Sequence, residues 1–232
     1  DRPGPSACAP GVSVSFWEDV LREARDEGVF YPFYKKLLAS GQYGRIPGSV
    51  REKFEQVYRL HLAEGIKYFH YASGALERLD RIGTRALLVK GPAIDRLIYD
   101  GYVRPRLDLD IVLDENAIPS VEKETSFSEN APARIHIHKH LINNSFLESA
   151  GAVIDMEIVW RETEPLNGFR NVVVLKPELN IIYLCEHGLK HDFDQFVFLY
   201  EIERLIDHYG AGFDWKKLEK LASSLGLARI VY

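Results

Sequence analysis

Two acids carry the most chemistry in this chain. They lie in the run Leu107-Asp108-Leu109-Asp110-Ile111-Val112-Leu113. On an extended backbone, side chains alternate between faces, so Asp108 and Asp110 share one face while Leu107, Leu109, Ile111 and Leu113 fill the other. Carboxylates that close force one of the pair to keep its proton unless a cation lies between them. A divalent ion with oxygen ligands meets that need, and the spacing therefore points to a metal site. Upstream stands Lys90-Gly91-Pro92, a turn glycine followed by a proline suited to the first turn of a helix, where its missing N–H costs nothing.

A second acidic run is Ile154-Asp155-Met156-Glu157-Ile158-Val159-Trp160. Read as a strand, it puts Asp155 and Glu157 on one face and the apolar residues on the other. Both acids can look into the same cleft, and spacing does not choose between them. His136, His138 and His140 also alternate. Imidazole is a common zinc ligand, but three on one extended strand span too far to close a tetrahedron, so they read as a polar sheet face lining the cleft. His187 and His191 are four apart and share a helix face. The acid spacing of a metalloprotease helix is missing there, which leaves a substrate contact or packing. The neighbouring Phe193, Phe196, Phe198 and Tyr200 read as core.

The elements that must hold these residues follow from hydrophobic period and punctuation. The first 80 or so residues are helical, with capping boxes at Ser15…Glu18 and Ser49…Glu52. The second opens a long helix whose apolar stripe reads Phe54, Val57, Tyr58, Leu62, Ile66, Phe69, Leu76 and Leu79. The period then becomes strand-like, with strands expected at 85–89, 108–113, 134–141, 152–160 and 171–175. Helices are expected at 92–99, 118–123, 178–191, 195–208 and 215–225, and the polar stretch 115–132 is otherwise a loop. Alternating strands and helices give an α/β sheet. The division expected is a helical region (1–83), a core (84–176) and a second helical region (177–232), together forming one compact unit.

A strand bearing Asp-x-Asp, preceded by a strand, a Gly turn and a helix, resembles the entry to the active site of the polymerase-β-like nucleotidyltransferase superfamily. Four stretches narrow the resemblance. They are Leu88-Val89-Lys90-Gly91, Arg104-Pro105 with Asp108-Leu109-Asp110, Met156 to Trp160, and Leu184-Cys185-Glu186-His187-Gly188-Leu189-Lys190-His191. In that order they are similar to the bacterial "uncharacterised nucleotidyltransferase" family, from about Leu88 to the end of the chain. The resemblance implies a mixed α/β (α+β) sheet flanked by N- and C-terminal helices. It implies Asp108, Asp110 and Glu157 as metal-binding catalytic carboxylates, with Glu157 also the acceptor of the proton of the attacking hydroxyl. Lys90, Gly91 and Arg104 would face the phosphates. Two Mg²⁺ ions, or Mn²⁺, would serve transfer of a nucleoside monophosphate from a nucleoside triphosphate to an acceptor hydroxyl. Pro92 and Val159 depart from the pattern, where the family has a small residue and a His. They motivate the rival expectation of a catalytically inactive nucleotide-binding or regulatory module.

Composition narrows the partners. The chain of 232 residues is 46% hydrophobic and 27% charged, the balance of a globular protein. Its net charge of −5 argues against general nucleic-acid binding, which needs a basic surface. Two cysteines far apart, Cys8 and Cys185, form no metal or redox pair, and a reducing cytoplasmic setting is expected. No apolar run reaches the roughly 18 residues that a membrane span requires.

Overall fold

The computed structural model describes residues 12–99, 101, 104, 108–124, 134–142 and 154–231. Leu107, Pro105, residues 125–132 of the expected loop, and Ala152 and Val153 of the expected fourth strand lie outside them. The chain forms two compact units, one of residues up to Leu60 together with Gln195–Val197, the other of His61–Asp194 and Phe198–Tyr232.

The first unit contains α1 (Val14–Asp26), α2 (Phe30–Ala39) and the start of α3 (Gly48–Ile82). The cap of α1 is Ser13, whose Oγ accepts the Phe16 N–H at 3.2 Å, so the helix begins ahead of the expected Ser15 box. Likewise Ser49 lies inside α3. The Val50 and Arg51 N–H groups donate to the Pro47 carbonyl at 2.9 and 3.0 Å, and the helix begins one residue before that serine. Phe30, Tyr34, Leu37, Ile46, Val50 and Phe54 make the core of this unit. The rings of Tyr34 and Phe54 stack at 6.2 Å.

The second unit is built on a five-stranded mixed sheet of order β3-β2-β1-β5-β4. Its strands are β1 (Ala86–Val89), β2 (Asp108–Leu113), β3 (Arg134–His138), β4 (Thr163–Pro165) and β5 (Val172–Leu175). Strand β1 runs antiparallel to β2 and parallel to β5, β2 runs parallel to β3, and β4 is antiparallel to β5. Leu109, Ile111 and Leu113 of β2 join Ala86, Leu88, Val172 and Val174 in one buried cluster. This fixes the register, because a one-residue slip would turn these leucines and valines outward.

The face of α3 that joins this cluster is Tyr68, Ala72, Ala75, Leu76 and Leu79. Leu62, Ile66 and Phe69 of the expected stripe are exposed instead. Leu76 and Leu79 of the expected stripe pack here, joined by Ala72 and Ala75, small residues that let a helix approach a sheet closely and that a count of large apolar residues overlooks.

Helix α4 (Pro92–Ile98) follows β1 through the Lys90-Gly91 turn, with Pro92 in its first turn as expected. Helix α5 (Ile118–Glu124) matches the short helix expected there. The expected strand at 152–160 is corrected: residues Met156–Arg161 form helix α6. Asp155 explains the difference. Its side chain accepts the Glu157 N–H at 2.8 Å and so acts as a helix N-cap. Ile158, Val159 and Trp160 fit either period in so short a run. Strand β3 also stops at His138, short of the expected Leu141. Helices α7 (Pro177–Lys190), α8 (Phe196–Tyr209) and α9 (Trp215–Ser224) lie where the sequence puts them, and α10 (Ala228–Val231) ends the described chain. Among the described residues no helix is long and apolar enough to cross a membrane.

Candidate active site

Three chain segments meet where β1 ends and β2 and β3 begin. Asp108 and Asp110 leave one face of β2, opposite to Leu109 and Ile111. In the register, Val89 of β1 lies across from Asp110 on one side and His136 of β3 on the other. Neighbouring strands are about 4.8 Å apart, so paired residues on one face are in reach of each other.

Lys90 enters this site from a turn with unusual backbone angles. Its own φ is +54° and that of Gly91 is +40°. A side chain at positive φ is costly, and the turn is tied by the Ala93 N–H donating to the Lys90 carbonyl at 2.9 Å. Gly91 caps α4 with a backbone that disfavours any other residue. Held this way, the Lys90 ammonium lies 3.3 Å from Asp110 Oδ2. From the other side His138 Nε2 donates to Asp110 Oδ1 at 2.8 Å. His136 Nδ1 lies 3.9 Å from that same oxygen and 4.0 Å from Asp108 Oδ2. Behind the pair, the buried Tyr68 donates its hydroxyl to the Asp108 carbonyl at 2.9 Å and fixes the start of the strand.

The two acids differ in exposure. The Asp110 side chain is 7% exposed and that of Asp108 46%. Burial alone would raise the Asp110 pKa. The His138 hydrogen bond, with the charges of Lys90 and His138, outweighs it and brings the carboxyl to about 2. Asp110 is therefore an anion with two cationic or donating partners. Asp108, Asp110 and His136 each offer a ligand atom, and these atoms lie within 4.8 Å of one another. Two oxygens and an imidazole nitrogen at that spacing fit a divalent ion.

Helix α7 supplies a wall beside the acids. The Tyr183 ring centroid is 5.8 Å from Lys90 Nζ. Burial, then the charges of Asp110, Glu186 and Asp108, push its phenol well above the usual range, so it stays a neutral donor. His187 lies nearly parallel to that ring at 6.4 Å, and meets the edge of His191 at 4.7 Å. Burial, reinforced by Lys90 and His191 and opposed by Asp110, lowers the His187 pKa to about 3, which keeps the imidazole neutral at ordinary pH. Phe198 packs on both histidines instead of entering the core, at 5.5 Å from His187 and 5.7 Å from His191. Gly188 is needed here because a Cβ would lie 2.3 Å from Phe193.

Other residues expected at the site have different surroundings or partners. Glu157, on α6, lines an open cleft of about 760 Å³ with Thr84, Arg85, Asp114 and Trp160. Thr84 and Arg85 precede β1 and Asp114 follows β2, so this cleft lies at the opposite end of the strand pair. From Asp110 to Asp114 is four residues, about 13 Å of strand. The structure therefore does not bring Glu157 to the aspartates, and Asp155 is occupied as a cap. Arg104 pairs with buried Glu201 at 3.3 Å, and Glu201 also accepts the Tyr99 hydroxyl at 3.1 Å. Cys185 has its thiol pushed up to about 11 by burial and is a poor nucleophile. Sequence reasoning missed Tyr68 and Tyr183 and did not single out His138. The histidine alternation signalled that strand, but its pairing beside Asp110 needs the sheet register.

Residues 14–232 match the family described as "Uncharacterised nucleotidyltransferase". The chain belongs to that family. The match covers nearly the whole length, and the mixed sheet with flanking helices is consistent with a nucleotidyltransferase fold. No curated protein and no solved structure matches the chain.

Proposed function

We propose that the chain is a metal-dependent nucleotidyltransferase that moves a nucleoside monophosphate from a nucleoside triphosphate to an acceptor hydroxyl. The oxygen of the hydroxyl forms a bond to the α-phosphorus, the bond to the β-phosphate oxygen breaks, and pyrophosphate leaves. The observation that carries this reading is the meeting of Asp108, Asp110 and Lys90 at one end of β1 and β2, in a chain of this family.

Asp108 and Asp110 would hold the divalent ion. Bound there, it neutralises charge on the phosphates and on the attacking and leaving oxygens. Lys90, whose ammonium lies 3.3 Å from Asp110, would compensate the charge of the leaving pyrophosphate. Asp108, the more exposed acid, would accept the proton of the acceptor hydroxyl. The test is pyrophosphate release from each nucleoside triphosphate with Mg²⁺ or Mn²⁺. Release should disappear in Asp108→Asn with Asp110→Asn.

A second reading, a nucleotide-binding module without turnover, is favoured by one observation: Glu157 lies at the other end of the strand pair. Nucleotide binding that persists with no pyrophosphate release across a panel of hydroxyl acceptors would decide for it.

A further inference from the structure

We infer that His136 is the third ligand of the metal centre and that its nitrogen moves the chain's preference from Mg²⁺ toward Mn²⁺ and neighbouring first-row ions. This rests on the metal-binding role proposed for Asp108 and Asp110, and adds the identity of the third donor and its consequence.

Geometry is the first support. Nδ1 of His136 is 4.0 Å from Asp108 Oδ2 and 3.9 Å from Asp110 Oδ1. On metal bonds of about 2.1 Å, neighbouring octahedral ligands stand about 3.0 Å apart and opposed ones about 4.2 Å. The observed separations fall inside that interval, and a contraction of about 1 Å, within reach of side-chain rotation, brings the ligands to adjacent positions. His136 needs no rearrangement of the backbone to take part, since β3 pairs it directly with Asp110.

The supporting contacts are the second. Asp110 is oriented by His138 at 2.8 Å and Lys90 at 3.3 Å, and the Asp108 backbone by Tyr68. Partners of this kind aim ligands at a metal. His138 does not compete for the third position, because its Nε2 is spent on Asp110. Half of the His136 side chain, 47%, is exposed, so the open side of the centre is left for phosphate oxygens.

Chemistry gives the consequence. An Asp-Asp-Glu set is all oxygen and suits Mg²⁺, a hard ion that demands near-octahedral oxygen geometry. The acid that would complete such a set lies in the other cleft. An imidazole in its place suits Mn²⁺, Co²⁺ and later ions better than Mg²⁺.

The test measures binding of the metal alone, without nucleotide. Calorimetry gives Mn²⁺ and Mg²⁺ affinities for the whole chain, and pulsed EPR of bound Mn²⁺ reports coupling to a ligand nitrogen. His136→Ala should lose the nitrogen coupling and weaken Mn²⁺ by about 10- to 100-fold while Mg²⁺ changes little. His136→Asp should bind both ions and narrow the gap between them. That variant keeps the test meaningful if the alanine chain folds poorly. An unchanged Mn²⁺ to Mg²⁺ ratio in both variants, or coupling that survives His136→Ala and vanishes in His138→Ala, overturns the assignment. Loss of metal in Asp108→Asn with Asp110→Asn would then leave the underlying site standing. Metal binding undiminished in that double variant, or no Mn²⁺ binding by the wild-type chain, overturns both.

Discussion

The two ends of the β1–β2 pair carry similar residues and use them differently. At the Arg85 end, polar side chains close local structure. Asp114 accepts the Asn116 N–H at 2.9 Å and Asp155 the Glu157 N–H at 2.8 Å, while Arg85 donates to the Trp160 carbonyl at 2.9 Å and sits 4.9 Å from that indole. At the Lys90 end, Asp110 caps nothing. Its partners are side chains from the turn after β1 and from β3, and it is nearly buried. Burying a carboxylate costs several kcal/mol unless charge and hydrogen bonds offset it. An acid that caps a helix has a structural reason to be where it is. An acid held in the sheet by three elements, beside a lysine at positive φ, has a reason that local folding does not supply.

The comparison is tested most severely by removing the buried charge. Asp110→Asn should lower pyrophosphate release by about 10³-fold, equivalent to about 4 kcal/mol of transition-state stabilisation. Full activity in that variant would remove the distinction between the two ends. Next in size, Lys90→Met should cost roughly 10²-fold in kcat/KM, because one charge partner of the phosphates is lost while the metal ligands remain. The corresponding change at the other end, Arg85→Met, should leave kcat/KM within about twofold, its contacts being to a carbonyl, a hydroxyl and a ring.

The sequence already spoke for much of this arrangement. Asp108 and Asp110 were readable as one face because Leu109, Ile111 and Leu113 alternate with them, and the same alternation fixes β2 in the sheet. The turn before α4 was readable from Gly91-Pro92. Residues 154–160 were not, since Asp155 can begin a helix or decorate a strand and the run is too short for period to decide. His138 was hidden for a different reason. Which side chain meets Asp110 depends on β2 and β3 pairing in parallel with Val112 opposite His138, a long-range fact with no local signature. Tyr183 was masked by its apolar neighbours on α7, and only the packing of that helix brings it toward Lys90.

Burial behind the Lys90 end has a signature in pH. His187 titrates near 3 in the fold against an ordinary 6.5, so below about 6.5 the unfolded chain takes up a proton that the folded chain refuses. Its contribution to stability is complete above 6.5 and is lost as pH falls toward 3. Asp110, with a folded value near 2 against 3.8, acts in the same direction in the narrower window below 3.8. In thermal melts, the drop in Tm between pH 7.5 and pH 4.5 should be smaller for His187→Phe than for wild type. An equal drop in both would mean that His187 is not held neutral by burial, and the two ends would be less different than their geometry indicates.

The smallest expected effect discriminates best. If Glu157 were the metal ligand and base that the family resemblance implies, Glu157→Gln would cost as much as Asp110→Asn. In the fold it is an exposed residue in the first turn of α6, in a cleft with Arg85, Asp114 and Trp160, and Asp114 itself is about 13 Å of strand from Asp110. Its carboxylate is not what starts the helix, since that role belongs to Asp155. Exposed substitutions of this type change stability by no more than about 0.5 kcal/mol. Pyrophosphate release by Glu157→Gln should therefore stay within about twofold of wild type, with Mn²⁺ affinity unchanged. A loss near 10³-fold would mean that α6 rearranges during turnover to deliver Glu157 to the aspartates, and His136 would then yield the third position to it.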